Sequence, residues 1–231
     1  FFDPRRLYDD AIKIRYEIEE SRMKVAGFFG CEPSEVIFTS SGTESLATFA
    51  YGVSQLEGHV AVSHFESETI YATLQCEHSN VQSDSVAAFV SYAHPDTGRI
   101  LEIEKTNPEC MVHLDARSAS GYAKLNFKEL DVDAMTVSSE TWGGPVGISA
   151  LILRSGIHIE ALIKGATQER ARRSGTENTL AIKGFGALCS TEHKVIEDEI
   201  NKFNIYKTTV ISILKDFKCE IIDENINSLP N

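Results

Sequence analysis

The sequence predicts an α/β fold: a mostly parallel central sheet flanked by helices. Three observations carry this reading. Short apolar runs of strand type alternate along the chain with longer stretches of helical period. Residues 110–115 form a buried-type strand that ends in a carboxylate, Asp115, and in open α/β sheets ligands gather at the carboxyl ends of strands. The length of 231 residues suits one large α/β domain, or one domain and part of a second.

The first element is a long amphipathic helix. After Asp3 and Pro4, apolar Leu7, Ala11, Ile14, Ile18, Val25 and Phe28 recur at helical spacing, and the pattern runs through Phe29 to a stop at Gly30. Residues 35–39 follow as a short strand. Ser40, Ser41, Gly42 and Thr43 then open a helix whose apolar face is Leu46, Phe49, Ala50, Val53 and Leu56. A strand passing through a Ser/Gly/Thr turn into a helix presents free N–H groups and a positive dipole end, which suits either a phosphate or an ordinary N-cap. Residues 59–63 read as the next strand and 66–75 as a helix, with a polar stretch at 78–85 and a strand at 86–91. After the strand at 110–115 comes a short apolar-leaning run, 131–135. The loop TVSSETWGGPVG, residues 136–147, leads into the strongest strand pattern in the chain, residues 148–154. Its glycines allow close backbone approach or positive φ, and Pro145 sets one turn. Residues 157–165 read as a helical or loop linker. Residues 179–203 form a long helix with Ile182, Leu188 and Ile196 on its apolar side, and a helix at 205–217 and a strand at 219–222 close the pattern.

Composition narrows the function classes. With 42% hydrophobic and 24% charged residues the chain is ordinary globular protein. A net charge of −12 excludes phosphate-backbone binding as the main role, so no nucleic-acid partner is expected. The five cysteines (Cys31, Cys76, Cys110, Cys189 and Cys219) are widely spaced and include no CxxC. They suggest neither a disulfide framework nor a metal site, and they fit a reducing, cytoplasmic setting. No apolar run approaches a membrane span, no signal peptide is visible, and both ends fall mid-pattern, as in a processed, trimmed or truncated chain.

Four blocks occur in order: FTSSGTES at 38–45, VHLDARSASG at 112–121, TVSSETWGGPVG at 136–147 and QERARRSGTEN at 168–178. Together they resemble the cysteine desulfurases, within the class V aminotransferase superfamily of fold type I enzymes that use pyridoxal phosphate. The resemblance covers nearly the whole chain. It implies a fold type I large domain over 1–203, including its long connecting helix, and the start of a small C-terminal domain over 204–231. It also implies a homodimer, in which Ser174, Gly175 and Thr176 reach across to the partner's cofactor phosphate. Gly42, Thr43 and Ser138 stand at the phosphate-side positions, and Asp115 at the position that pairs with the pyridine nitrogen.

The departures fall on the chemistry. Where the family pattern is Ser-x-His-Lys-x-x-Gly-Pro-x-Gly, with the lysine holding the cofactor as a Schiff base, this chain has Glu140 and Thr141. The ring-stacking histidine is Ser67, the ring-hydroxyl asparagine is Pro95, and the glutamine three residues after the aspartate is Ser118. A threonine hydroxyl forms no Schiff base and is not basic near neutral pH. The segment between Glu66 and Gly98 is shorter than in the family, as if one strand–helix unit were lost, and no cysteine lies in a family-type catalytic loop. The resulting expectation is a pseudoenzyme with no catalytic residues and no covalent cofactor. It would keep a vestigial pocket open to non-covalent phosphate or pyridoxal phosphate, and would act as a scaffold or partner-binding protein in sulfur transfer or iron–sulfur assembly. Two alternatives stand beside it: a working cysteine desulfurase whose missing residues come from elsewhere, and a binding module for a phosphate-bearing small molecule.

Overall fold

The computed structural model describes residues 4, 6–94, 96–102, 107–191, 193–221 and 227–230. Helix α1 (Asp9–Phe29) carries Asp9 and Asp10 in its first turn, where they meet the positive dipole end, and it stops at Gly30. Gly30 takes φ 66° and returns its N–H to the Ala26 carbonyl. Strand β1 (Val36–Thr39), helix α2 (Gly42–Ser54), strand β2 (His59–Val62) and helix α3 (Glu68–Leu74) follow. Next come strands β3 (Ser85–Ser91) and β4 (Met111–Asp115), the short helix α4 (Phe127–Leu130), and strands β5 (Ala134–Ser138) and β6 (Ser149–Leu153). Helices α5 (Thr179–Leu188) and α6 (His193–Asp216) complete the described order.

The six strands make one sheet in the order β1-β6-β5-β4-β3-β2. Strands β2, β3, β4 and β5 run parallel to one another, and β6 is antiparallel to both of its neighbours, β5 and β1. Strand β1 therefore points the same way as β5, and five strands end on one rim. Each strand is buried on both faces, as expected for a sheet covered by helices. In β6, Ala150 and Ile152 pack toward Phe29 of α1 and Phe185 of α5, while Leu151 and Leu153 pack toward Leu46, Phe49 and Val53 of α2. Gly186 lets α5 lie close on α1, since a Cβ there would come 2.7 Å from that of Ser21.

Several boundaries differ from the sequence reading. The long helix expected over 179–203 is broken: α5 ends at Leu188, where the N–H groups of Ser190 and Thr191 bond back to Ala187 and Leu188 and the Ser190 hydroxyl bonds to the Gly186 carbonyl. Such local hydroxyl bonds compete with helix continuation. The helix expected from residue 205 is the second half of α6, which runs unbroken from His193. Residues 219–221 are not in a strand, and residue 222 lies outside the described residues, as do Asp3 and Pro95. The 157–165 linker is loop. Among the described residues no helix is long and apolar enough to cross a membrane.

The free edge of β1 is finished by side chains. Glu169 accepts from the Phe38 N–H at 2.9 Å and pairs with both terminal nitrogens of Arg22, each at 2.8 Å. Arg22 also donates to the Val36 carbonyl at 2.9 Å. Both side chains are nearly fully buried, so removing one partner strands a charge in the interior. Glu169→Gln or Arg22→Met should each lower stability by about 3–5 kcal/mol in urea denaturation. The double variant should lose less than the sum of the two, as expected for groups in one network.

Candidate functional site

The rim where five strands end forms a cleft of about 360 Å³. Register explains its contents. Ser91, the last residue of β3, lies beside Asp115, the last of β4, which in turn lies beside Thr136 of β5. Ser91, Asp115 and Ser138 thus share one wall. Phe65, Glu66 and Ser67, from the turn after β2, face them, and Arg117, Ser118, Glu140 and Thr141 close the cleft. Of the sequence-derived positions, Ser67, Asp115, Ser118, Ser138, Glu140 and Thr141 come together here.

Asp115 is held by a residue that motif reading passed over. Arg117 folds back from the loop after β4. Its main-chain N–H and Nε reach Oδ1 at 3.1 and 2.9 Å, and its Nε and Nη2 reach Oδ2 at 3.1 and 2.7 Å. A carboxylate offers about four lone-pair sites, and one residue supplies three N–H donors to them, the Nε–H shared between the two oxygens. The Arg117 stem crosses Gly42 so closely that a Cβ there would lie 2.1 Å from Arg117 Cδ. The available signal was an arginine two residues after a strand-end aspartate, within hydrogen-bonding reach of it.

The 136–147 loop is fixed by its tryptophan. Trp142 stacks on Phe28 with ring centroids 4.9 Å apart, and its Nε1–H donates to the Ser138 carbonyl at 2.8 Å. Gly121 makes room for it, because a Cβ would come within 2.3 Å of the indole. A 3₁₀ turn, Glu140–Trp142, then presents Glu140 and Thr141 to the cleft. The Thr141 hydroxyl is buried without a hydrogen-bond partner, and its carbonyl accepts from Tyr122 at 3.1 Å. Among the described residues, no lysine and no cysteine lines the cleft.

The turn before α2 is occupied by the chain's own groups. Ser41 caps the helix by accepting from the Glu44 N–H, and Glu44 reaches back to the Ser40 N–H at 2.8 Å and the Ser40 hydroxyl at 2.5 Å. Arg173 holds Glu44 at 2.7 Å. Thr43 is exposed and does not line the cleft. Ser174 is buried, its hydroxyl donating to the Ala166 carbonyl at 2.7 Å. Gly175 takes φ 104°, and Thr176 lines a second, smaller cleft of about 230 Å³ with Ser40, Glu169 and Arg173. Residues 174–176 therefore lie apart from the cleft at Asp115 within one chain.

Glu66 is the unusual acid of the site. It is only 8% exposed; Oε1 accepts from the Ser63 hydroxyl at 2.9 Å, and Oε2 is buried without a partner. Burial and the negative charge of Asp115 push its pKa from 4.5 to about 7, against the pull of the Ser63 and Ser91 hydroxyls and Arg117. The folded state thus favours the protonated acid: stability is full below about pH 4.5 and falls as pH rises through about 7. Glu66→Gln should match the wild type below about pH 4.5 and be more stable at about pH 8, by on the order of 1–3 kcal/mol. Urea midpoints measured across that range check this.

Comparison with known proteins agrees with this geometry. The profile of the family described as aminotransferase class-V matches residues 4–82 and 78–215. The join between the two pieces falls inside the stretch expected to be shortened, between Glu66 and Gly98. Cysteine desulfurase IscS 1 of Archaeoglobus fulgidus is 27% identical over 263 residues, covering 100% of this chain and 69% of that protein. Cysteine desulfurase IscS of Dictyoglomus turgidum is 26% identical, covering 99% of this chain and 64% of the relative. The chain thus spans about two thirds of the length of these relatives. A solved NifS-like protein from Rickettsia africae superposes with a TM-score of 0.90 at 25% identity, over 100% of this chain and 72% of that one. The fold is therefore the α/β fold type I, and the chain belongs to the aminotransferase class-V family, in which its curated relatives are cysteine desulfurases.

Proposed function

We propose that this chain is a desulfurase-fold protein without covalent cofactor chemistry, acting as a scaffold or binding partner in sulfur transfer or iron–sulfur assembly. The observation that carries the reading is the cleft itself: Glu140 and Thr141 stand on the loop where the family resemblance calls for a histidine and the Schiff-base lysine, and no lysine among the described residues lines the space. Desulfuration needs an amine that forms the internal Schiff base and moves protons, and a thiolate that takes the sulfur. Thr141 supplies neither amine function. Two of the thiols are poorly suited as well, since burial and nearby Glu35 and Glu32 push Cys31 up to about 12, and burial also raises Cys189.

The family depends on pyridoxal phosphate, which makes that cofactor the first candidate ligand. The residues present do not fit it. The carboxylate that would pair with the pyridine nitrogen is already paired with the Arg117 guanidinium. The turn that would receive the phosphate holds Glu44. These groups also weigh against a module for phosphate-bearing small molecules. The names of the relatives favour a second reading, an active desulfurase whose lysine and cysteine come from elsewhere.

Borohydride reduction of the protein after incubation with pyridoxal phosphate, read by intact mass and peptide mapping, separates the two readings. The expected result is no stoichiometric pyridoxyl adduct on any lysine of the chain. A stoichiometric pyridoxyl-lysine would sink the non-catalytic reading.

We also place the chain in the cytoplasm, where its unpaired cysteines stay reduced, and as a homodimer whose interface includes residues 170–178. That block is polar and mostly at the surface, and two-fold dimers are the commonest assembly. Light scattering at micromolar concentration should give twice the 25.5 kDa chain mass. Charge reversal at Arg170, which lies on the surface and reaches Glu19 only at 3.3 Å, should shift the population toward monomer.

A further inference from the structure

We propose that Arg117 is a built-in occupant of the cofactor position, and that this tethered side chain is what bars pyridoxal phosphate from the cleft. The inference rests on the non-catalytic reading above and goes a step beyond it. Loss of a Schiff-base lysine removes covalent attachment, but a pocket otherwise intact would still hold the free cofactor by its ring and phosphate. This pocket is not otherwise intact.

Three observations converge on Arg117. First, it donates to both oxygens of the Asp115 carboxylate through three N–H groups, the Nε–H shared between them, so a protonated pyridine nitrogen arriving there must displace a charged donor already in place. Second, its stem lies against Gly42 at a distance no Cβ would tolerate, so the guanidinium spans the space between the start of α2 and the end of β4. A cofactor anchored at both of those places would have to pass through it. Third, the rest of the wall offers a phosphate no unpaired cation: Glu140 lines the same cleft, and among the described residues that line it the basic side chain is Arg117, already paired with Asp115.

Tethering explains why a free ligand does not win. Arg117 sits two residues from Asp115, and its own main-chain N–H joins the same carboxylate. Loop and side chain are therefore organised together, and a group on a short tether competes at an effective concentration in the millimolar range. The charge-assisted bidentate pair is also a stronger partner for Asp115 than the single bond a pyridinium could offer. The side chain of Arg117 is 28% exposed against 9% for Asp115, so the guanidinium closes the cleft from its open side and is not a strut of the core. Its replacement should leave the fold standing.

The test uses Arg117→Ala and Arg117→Gln, the latter keeping one donor for Asp115 in case the first variant folds poorly, with melting curves as the check on folding. Pyridoxal phosphate is titrated into each protein and into wild type. Binding is followed by equilibrium dialysis and by quenching of Trp142, the single tryptophan, which sits on the loop beside the cleft. The expected result is no saturable binding by wild type and reversible binding by a folded variant, at least about tenfold tighter. Folded variants that bind no better than wild type would overturn the proposal, and so would saturable binding by wild type itself. Borohydride tells the two readings apart. If wild type binds and the ligand washes away after reduction, Arg117 is not the barrier but the non-catalytic reading survives. If reduction fixes the ligand to a lysine, both fall.

Discussion

The buried pair between Arg22 and Glu169 is the constraint on which much of this architecture depends. It joins α1 to a segment 147 residues away, and it completes the β1 edge of the sheet. An open edge leaves unpaired N–H and C=O groups that invite another chain. Here Glu169 takes the Phe38 N–H and Arg22 takes the Val36 carbonyl, so the edge is capped by charge in place of a seventh strand. The backbone records the cost. Glu169, Arg170 and Ala171 all hold positive φ without being glycine, a conformation that persists only where surroundings over-determine it. Arg170 and Arg172 add bonds to the carbonyls of Pro33 and Ser34, tying this basic run to the loop before β1.

From that anchored edge the sheet delivers the site by register alone. Parallel strands must end on the same rim, so the last side chains of β3, β4 and β5 converge without any long-range instruction beyond strand order. The core faces follow the same logic. His113, one residue before Leu114 in β4, points to the α2 face, where it is wholly buried between Phe49 and Phe89 and bonds Thr136 at 2.9 Å. Burial pushes its pKa down to about 4, so it stays neutral and takes no charge to the cleft only two residues away.

The cleft itself is a balance of charges that the chain supplies internally. Asp115 has Arg117, and Glu66 answers the crowding of negative charge by holding its proton, while at the turn before α2 Glu44 has Arg173 and Ser40. Asp115 and Glu44, at the two places where a phosphorylated ring would be held, have thus found partners within the chain. The orphaned Oε2 of Glu66 and the hydroxyl of Thr141 mark the part of the cleft with unused hydrogen-bonding capacity.

The sequence by itself determined the elements, their order and the neighbourhood of the site. Periodicity located α1 and its stop at Gly30, strand-type runs located β1 to β4 and β6 within a residue, β5 lies three residues beyond the run expected at 131–135, and the blocks at 112–121 and 136–147 pointed to residues that line the cleft. Local signals suffice there, because caps, glycines and apolar spacing act over a few residues. Only tertiary structure decided the rest. The break after Leu188 was invisible because apolar spacing continues past it at Ile196, while the N–H groups of Ser190 and Thr191 turn back to the carbonyls of Ala187 and Leu188. The place of Thr43 outside the cleft depends on how α2 is rolled against the sheet, and the meaning of Glu169 depends on a strand edge far away in sequence. Arg117 is the clearest case. Its letter stood in plain view inside a motif, but whether it points to solvent or folds onto Asp115 is set by the missing Cβ of Gly42, which comes from another element. Chain periodicity carries no information about which side chains two separate elements will press together, and that contact alone decides what the cleft can hold.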